Sequence, residues 1–404
     1  MPDKKAYVGE VILKDEVLSD GVVVTDGGTI TWVGPLTDLP DELAGVEQIE
    51  FDADSYIMPG LVDVHCHGGG GASFPDATTL DDVRAAAGEH LKHGTTTMIA
   101  SLVTAAIPVL EEKGALLADA VDEGIIAGFH YEGPFISKEK CGAQNPKYIV
   151  AATPDDARKL VEAGRGNAVT ITIAPEQCLG DEGREALGIL IDGDILPSWG
   201  HTNATTNQTV DAIDMGIDLL KEAPEKVRGG RGTVTHLFNG MPPMHHRSPG
   251  PIPAFMRAAA KGELFAELIN DGIHVDPLMV GQVVAGVGRE NCVYVTDSMA
   301  AAGMPDGEYV LGPQEVRVKH GVARLLHGDA LAGGTSHLLD QVRIGYQIAG
   351  LPLVDSVYLA TRAGADVLGN KEIGRLEAGS KADLLITTKG FDVLAVIRGG
   401  KQVA

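Results

Sequence analysis

"PGLVDVHCHGGGG", residues 59–71, runs an apolar stretch into two histidines that flank a cysteine. Side chains repeat every two residues along a strand, so His65 and His67 point to one face and Cys66 to the other. A strand ending in H-x-H, followed by a glycine loop with no bulky side chains, is either half of a metal site or a polar pair at a strand end. The rest of the chain decides between them, and it also decides which fold such a strand opens.

Downstream, short β-rich runs alternate with amphipathic stretches. The candidate strands are "LVDVHCH", "TTTMIAS", "IIAGFHYEG", "AVTITIAPE", "ILPSWGH", "TVTHLFN", "FAELIND" and "CVYVTDS", separated by segments such as "LDDVRAAAGEHLKHG" and "LEEKGALLADAVDEG". Repeated strand–helix units imply a parallel sheet. About eight of them over roughly 300 residues fit a (β/α)8 TIM-type barrel. An open doubly wound sheet is disfavoured, because no G-x-G-x-x-G opens a helix after the first strand. The two ends of the chain differ from this middle. "YVGEVIL", "GVVVTDGGTITWVG" and "QIEFDADSYIMPG" near the start, and "GRLEAGSKADLLITT" and "FDVLAVIRGGKQVA" near the end, read as strands and turns. The expected organisation is a catalytic α/β barrel over 59–365 and a small β-sandwich domain built from both termini, 1–58 and 366–404.

The 404 residues carry 32 Lys and Arg against 56 Asp and Glu, a formal charge of -24. That field disfavours nucleic acid and anionic membranes as partners, and an anionic substrate would need a local exception of basic groups. The cysteines Cys66, Cys141, Cys178 and Cys292 show no paired spacing, and the N-terminus has no apolar leader segment. A reduced, cytoplasmic, soluble protein is the expectation.

In a barrel of this kind catalytic groups sit at the C-terminal ends of strands. Those ends carry His65 and His67, Glu132, His201, His236 and Asp297. Singly, each has a structural reading: a satisfied polar histidine, a turn acid before Gly-Pro, a helix-capping aspartate. Together they form a donor set. A catalytic zinc takes three nitrogen or oxygen ligands and leaves a position for water, which Glu132, His201 and His236 supply. Asp297 is then free to act as a base. His130 is assigned a supporting role behind Glu132, and His320, His327 and His337 are expected on the surface or in loops.

"PGLVDVHCHGGGG", "HYEGPFIS", "WGHTNA", "THLFNGMPPMHHRSPG", "INDGIHVD", "VTDSMAAAGMPDGEY" and "LAGGTS" occur in this order. Across essentially the whole chain they resemble the N-acetylglucosamine-6-phosphate deacetylases of the amidohydrolase superfamily. The resemblance implies hydrolysis of the acetamide of N-acetyl-D-glucosamine 6-phosphate to D-glucosamine 6-phosphate and acetate, in amino-sugar catabolism and cell-wall sugar recycling. It also implies a divalent metal, one or two per subunit, with zinc expected and iron, manganese or cobalt as alternatives. Glu132, His201 and His236 would hold the principal ion, and His65 and His67 a second. Asp297 would be general base and acid. Asn239, Gly240, His274 and Gln144 would meet the substrate. Arg247 would meet its phosphate, by the same resemblance in a homodimer whose phosphate site is shared between subunits. One stretch departs from the family: "KCGAQNP" stands where "KGAH" is usual, which puts Gln144 in a histidine's place and adds a thiol, Cys141, to a loop expected near the site mouth. A cyclic amidase with a metal-bridging lysine is the nearest rival, but no lysine ends a candidate strand. A non-catalytic scaffold would have lost ligands that this chain keeps.

Overall fold

The computed structural model describes residues 4–51, 55–223 and 227–404. Eight parallel strands form its central sheet in sequence order: β1 (Leu61–Cys66), β2 (Thr95–Leu102), β3 (Gly128–Glu132), β4 (Ala168–Ile173), β5 (Leu196–Trp199), β6 (Gly232–Val234), β7 (Leu264–Leu268) and β8 (Cys292–Tyr294). All eight segments read as strands from their composition are strands. Between them run α1 (Leu80–Lys92), α2 (Ile107–Asp122), α3 (Pro154–Gly164), α4 (Asp181–Asp192), α5 (Thr206–Glu222), α6 (Ile252–Ala260) and α7 (Pro277–Val287), with α8 (Leu338–Gln347) following β8 at a distance. This is the (β/α)8 barrel the alternation predicts.

Local chemistry sets the helix ends. Thr79 and Asp82 form a reciprocal capping box that starts α1, and Val83, Ala86 and His90 make its buried stripe. Gly94, at φ +93°, stops the chain from continuing the helix and turns it into β2.

The barrel closes between β8 and β1 through a substitute for ladder pairing. Asp63, wholly buried in β1, accepts from the backbone N–H of Thr296 at 3.2 Å and from its hydroxyl at 2.6 Å. Just beyond, the Asp297 N–H donates to the His65 carbonyl at 2.9 Å, and the His67 N–H to the Ser298 carbonyl at 2.7 Å. Closure therefore locks the ends that carry His65, His67 and Asp297 to one another.

The termini meet in one continuous eight-stranded sheet. Lys4–Ile12 pairs antiparallel with Val17–Asp26, and parallel with both Glu47–Glu50 and Ser55–Pro59. Ser55–Pro59 then pairs with Leu384–Thr388 from the other end of the chain. Tyr7, Val11, Val23, Ile30 and Ile57 pack on Leu384, Ile386, Ala395 and Ile397, so neither terminus could bury its apolar face alone.

One element was not read from the sequence. Between β8 and α8 the chain makes a three-stranded antiparallel sheet of Gly307–Leu311, Gln314–Lys319 and Val322–Leu325. His337, expected on the surface or in a loop, is instead buried at the N-cap of α8, its ring stacked on that of His93. No helix among the described residues is long and apolar enough to cross a membrane.

Candidate metal centre

Glu132 ends β3 inside the barrel mouth and organises everything around it. Its Oε1 lies 2.9 Å from Nε2 of both His201 and His236. Its Oε2 lies 3.1 Å from His67 Nε2. His65 and His67 present their Nε2 atoms 3.2 Å apart, and Asp297 Oδ1 stands 3.2 Å from His67 and 3.6 Å from His65. Two donor sets result, Glu132 with His201 and His236, and His65 with His67 and Asp297. Glu132 stands between them, with Oε1 toward His201 and His236 and Oε2 toward His67.

The strand ends turn these groups inward by abandoning β geometry. His201, His236 and Asp297 take positive φ values of 45°, 27° and 48°. Each such left-handed residue costs of order 1–3 kcal/mol unless its surroundings hold it. That three site residues share this conformation marks the rim as built for position rather than stability. Gly240, at φ +63°, is required by packing: a Cβ there would fall 2.8 Å from His201 Nδ1.

The charges suit a cation. Burial pushes the Glu132 carboxyl up, but hydrogen bonds from His201, His236 and His67 override it and hold the group well below the usual carboxylate range. Asp297 is likewise opposed by burial, yet His67 and His65 bring it down to about 2, so it is ionised at neutral pH. Burial lowers both His67 and His236, but Asp297 and Glu132 outweigh it at His67 and raise that ring to about 10, and Glu132 outweighs it at His236 and raises that ring to about 9. Buried carboxylates and imidazoles paired in this way can exchange their shared protons for a cation. His236 Nδ1 is buried without a hydrogen-bond partner. Donor type, number and spacing all fit a divalent ion of the zinc kind.

Beneath these candidate donors lies a polar floor. His130 bonds Thr170 at 2.6 Å and Thr172 at 2.9 Å, and its buried ring stays neutral, desolvation and the neighbouring His65 pushing it well down. Thr172, Thr235, Ser198 and Thr233 continue the chain of bonds to Glu267. Glu267, on β7, also accepts from the His236 N–H at 3.2 Å and faces His65 Nδ1 at 3.1 Å. It therefore fixes the His65 tautomer, aiming Nε2 at the centre. From the sequence alone "FAELIND" is only a strand. The overlooked signal is an acid on an apolar strand, which needs buried partners. A Glu267→Gln protein is expected to lose roughly 10- to 100-fold in metal affinity on the His65 side, the usual cost of removing such a support. Competition with a chromogenic chelator measures it, and wild-type affinity would separate Glu267 from the centre.

The cavity above the centre holds about 260 Å³ and is lined by His67, Glu132, His201, His236 and Asp297 together with Gln144, Asn239, Gly240 and His274. Leu311, Ala330, Leu331 and Gly333, from the three-stranded sheet and the loop after it, complete the wall. His274 gives Nδ1 to Asp271 Oδ2 at 2.7 Å, which leaves Nε2 for another partner. Gln144 is spanned between Glu132 Oε2, to which Nε2 donates at 2.5 Å, and the Thr104 N–H, from which Oε1 accepts at 2.7 Å. Arg247 is not among the lining residues; it is exposed on the 241–250 loop, with Nη1 2.8 Å from His246 Nε2. No lysine or arginine lines the cavity among the described residues.

The loop bearing Cys141 lies against the site: His201 Nδ1 donates to the Lys140 carbonyl at 2.8 Å, and a Cβ on Gly142 would touch His201. Cys141 is half-buried, whereas Cys66, Cys178 and Cys292 are buried. Burial raises all four thiols, least at Cys141. In native protein a thiol reagent should label Cys141 first and the other three only on unfolding. Labelling of Cys66 at a comparable rate would contradict the strand alternation that places it behind the metal centre.

Residues 56–403 match the amidohydrolase family. N-acetylglucosamine-6-phosphate deacetylase of Bacillus subtilis (strain 168) is 32% identical over 96% of this chain and 94% of its own length. N-acetylgalactosamine-6-phosphate deacetylase of Shewanella sp. (strain ANA-3) is 30% identical over 85% of this chain and 82% of its own. Among solved structures, N-acetyl-D-glucosamine-6-phosphate deacetylase of Mycobacterium smegmatis, determined in complex with N-acetyl-D-glucosamine-6-phosphate, superposes with a TM-score of 0.88 at 34% identity, covering 99% of each chain.

Proposed function

Because the chain belongs to the amidohydrolase family, we propose that it hydrolyses the acetamide of N-acetyl-D-glucosamine 6-phosphate, releasing acetate and D-glucosamine 6-phosphate. The observation that carries this reading is one cavity in which Glu132, His201 and His236 converge beside an ionised Asp297. The similarity to deacetylases over nearly the whole chain supplies the substrate class.

Glu132, His201 and His236 would hold the principal ion, with zinc favoured by the mixed imidazole and carboxylate donors. His65 and His67 would hold a second. When bound, a divalent ion lowers the pKa of water toward about 7 and polarises an amide oxygen. The chain's own groups do the rest. Asp297, ionised, accepts the proton of the attacking water as the new C–O bond forms. It then returns that proton to the nitrogen as the C–N bond breaks, so the amine leaves neutral rather than as an anion. Asn239, Gly240, Gln144 and His274 would position the sugar. The bond from Gln144 to Glu132 adds a second duty, holding the carboxylate in the orientation that serves both donor sets.

The 6-phosphate requires a cation that the cavity lining does not include, and Arg247 of a partner subunit would supply it. This reading takes the protein as a cytoplasmic homodimer. Acetate release from the 6-phosphates of N-acetylglucosamine, N-acetylgalactosamine and N-acetylmannosamine, and from the same sugars without phosphate, tests it. N-acetylglucosamine 6-phosphate should be turned over with the highest kcat/KM. A preference for the galactosamine epimer, the substrate named for the Shewanella relative, would overturn the choice of sugar and leave the chemistry standing.

A further inference from the structure

Behind β1, away from the substrate cavity, lies a cluster of ligating side chains that the reaction above does not use. The end of α1 and its C-cap carry Glu89 and His93 four residues apart, hence on one helical face. His337, at the N-cap of α8, faces them. Glu89 Oε1 lies 3.4 Å from His93 Nδ1 and 3.3 Å from His337 Nε2, and one ligating atom from each of the three falls within 4.8 Å of the others. Ligands held about 2.1 Å from a tetrahedral zinc sit about 3.4 Å from one another, so the Glu89–His337 spacing matches adjacent corners of such a site.

The second observation concerns unsatisfied nitrogens. His337 is 9% exposed, and its Nε2 makes no hydrogen bond in spite of its closeness to Glu89. Next to it His90 is wholly buried with an unpartnered Nδ1, its ring centroid 5.4 Å from that of His337. Buried polar atoms are ordinarily paired, and an ion is one thing that pairs them. Small residues make the space: a Cβ on Gly303 would fall 2.1 Å from Glu89 Oε1, and one on Gly69 would fall 2.7 Å from His90 Nε2. The His93 side chain is 38% exposed, which leaves the cluster an opening to solvent. The chain's net charge of -24 favours cation entry.

We propose that Glu89, His93 and His337 form a second, non-catalytic site for a first-row divalent cation such as zinc, with water completing the coordination. His93 and His337 stack with centroids 3.5 Å apart, and His93 Nδ1 donates to the Glu89 carbonyl at 2.9 Å. Loading requires His93 to release that bond and turn its ring, which its exposure permits. The position explains what an ion would do. His90 Nε2 bonds the Gly68 carbonyl at 2.8 Å, tying α1 to the glycine loop after His67. Ser336, next to His337, accepts at its carbonyl from the hydroxyl of Ser298, the neighbour of Asp297. An ion here would clamp α1 to α8 and so brace from behind both loops that carry the metal centre, without touching substrate.

The test counts metal rather than activity. Wild-type, His93→Ala and His337→Gln proteins are stripped with chelator and dialysed against zinc, and bound metal per chain is measured by plasma mass spectrometry. Wild type should hold one zinc more than His93→Ala, and the rise in Tm that zinc gives wild type should shrink in that variant. His236→Ala should lose zinc from the catalytic centre yet keep the ion at Glu89. His337 caps a helix, so its variant could fail to fold; half-exposed His93 carries the decision. Equal zinc content in wild type and a folded His93→Ala protein would overturn the site, whatever the catalytic centre binds.

Discussion

Asp297→Asn is expected to lower kcat at least roughly a hundredfold while metal content stays at the wild-type level, the lower end of what a positioned acid–base group contributes. Asn keeps the shape of Asp and the positive φ is tolerable to it, so the barrel should close as before. It cannot accept a proton. In the wild type the Asp297 carboxyl is held near 2 against the pull of burial by His67 and His65, so the base is fully ionised wherever the protein is folded near neutrality. The backbone around it is independently fixed, through its N–H to the His65 carbonyl and through Ser298 to Ser336. The loss should therefore fall on kcat. Steady-state kinetics with parallel metal analysis decide the matter, and near-normal turnover with full metal would remove Asp297 from the proton path.

Arg247→Ala should raise KM for the phosphorylated sugar by ten- to over a hundredfold, and far less for the sugar without phosphate. A hydrogen bond to a charged group is worth roughly 1.5–3 kcal/mol, which sets that range. The residue is exposed, has a histidine as its side-chain partner, and lies outside its own cavity lining. Pro242, Pro243, Pro249 and Gly250 shape a loop whose own closure is the His245–Ser248 bridge. Mixing Arg247→Ala with Asp297→Asn subunits tests delivery across a dimer. In each mixed dimer one site would combine a native Asp297 with a native Arg247 from the neighbour, so activity should recover. No recovery after proven subunit exchange would mean that the arginine serves its own barrel.

The convergence of these side chains is legible in the chain because the candidate donors follow a local rule: they end strands. H-x-H on β1, Glu132 after "GFHY", His201 after "PSWG" and Asp297 after "VYVT" all sit where a barrel strand gives way to its loop, and strand alternation alone placed Cys66 behind His65 and His67. What was not read depends on contacts far apart in sequence. Glu267 meets His65 across 202 positions, and Asp63 meets Thr296 across 233. Each is an acid inside an apolar strand, which announces a buried partner without naming it. His337 looked like a loop histidine because nothing near it in sequence indicates that α1 packs over it. The strands of 307–325 alternate plainly, "EYVLGPQEVRVKHGVARL", yet they belong to neither the barrel repeat nor the terminal sheet. Only the folded chain shows their neighbourhood contributing to the cavity wall.

The central claim is that one chain supplies a metal-dependent deacetylating centre from Glu132, His201, His236 and Asp297. It is tested most directly by stripping the protein with a chelator and adding zinc back in fractions of an equivalent. Acetate and D-glucosamine 6-phosphate are followed by proton NMR, with N-acetyl-D-glucosamine 6-phosphate as substrate. The account predicts no turnover in the stripped protein, equal amounts of the two products once zinc is present, and a rate that climbs with bound metal in wild type but not in a His236→Ala variant. Undiminished acetate release from protein proven free of metal would contradict it.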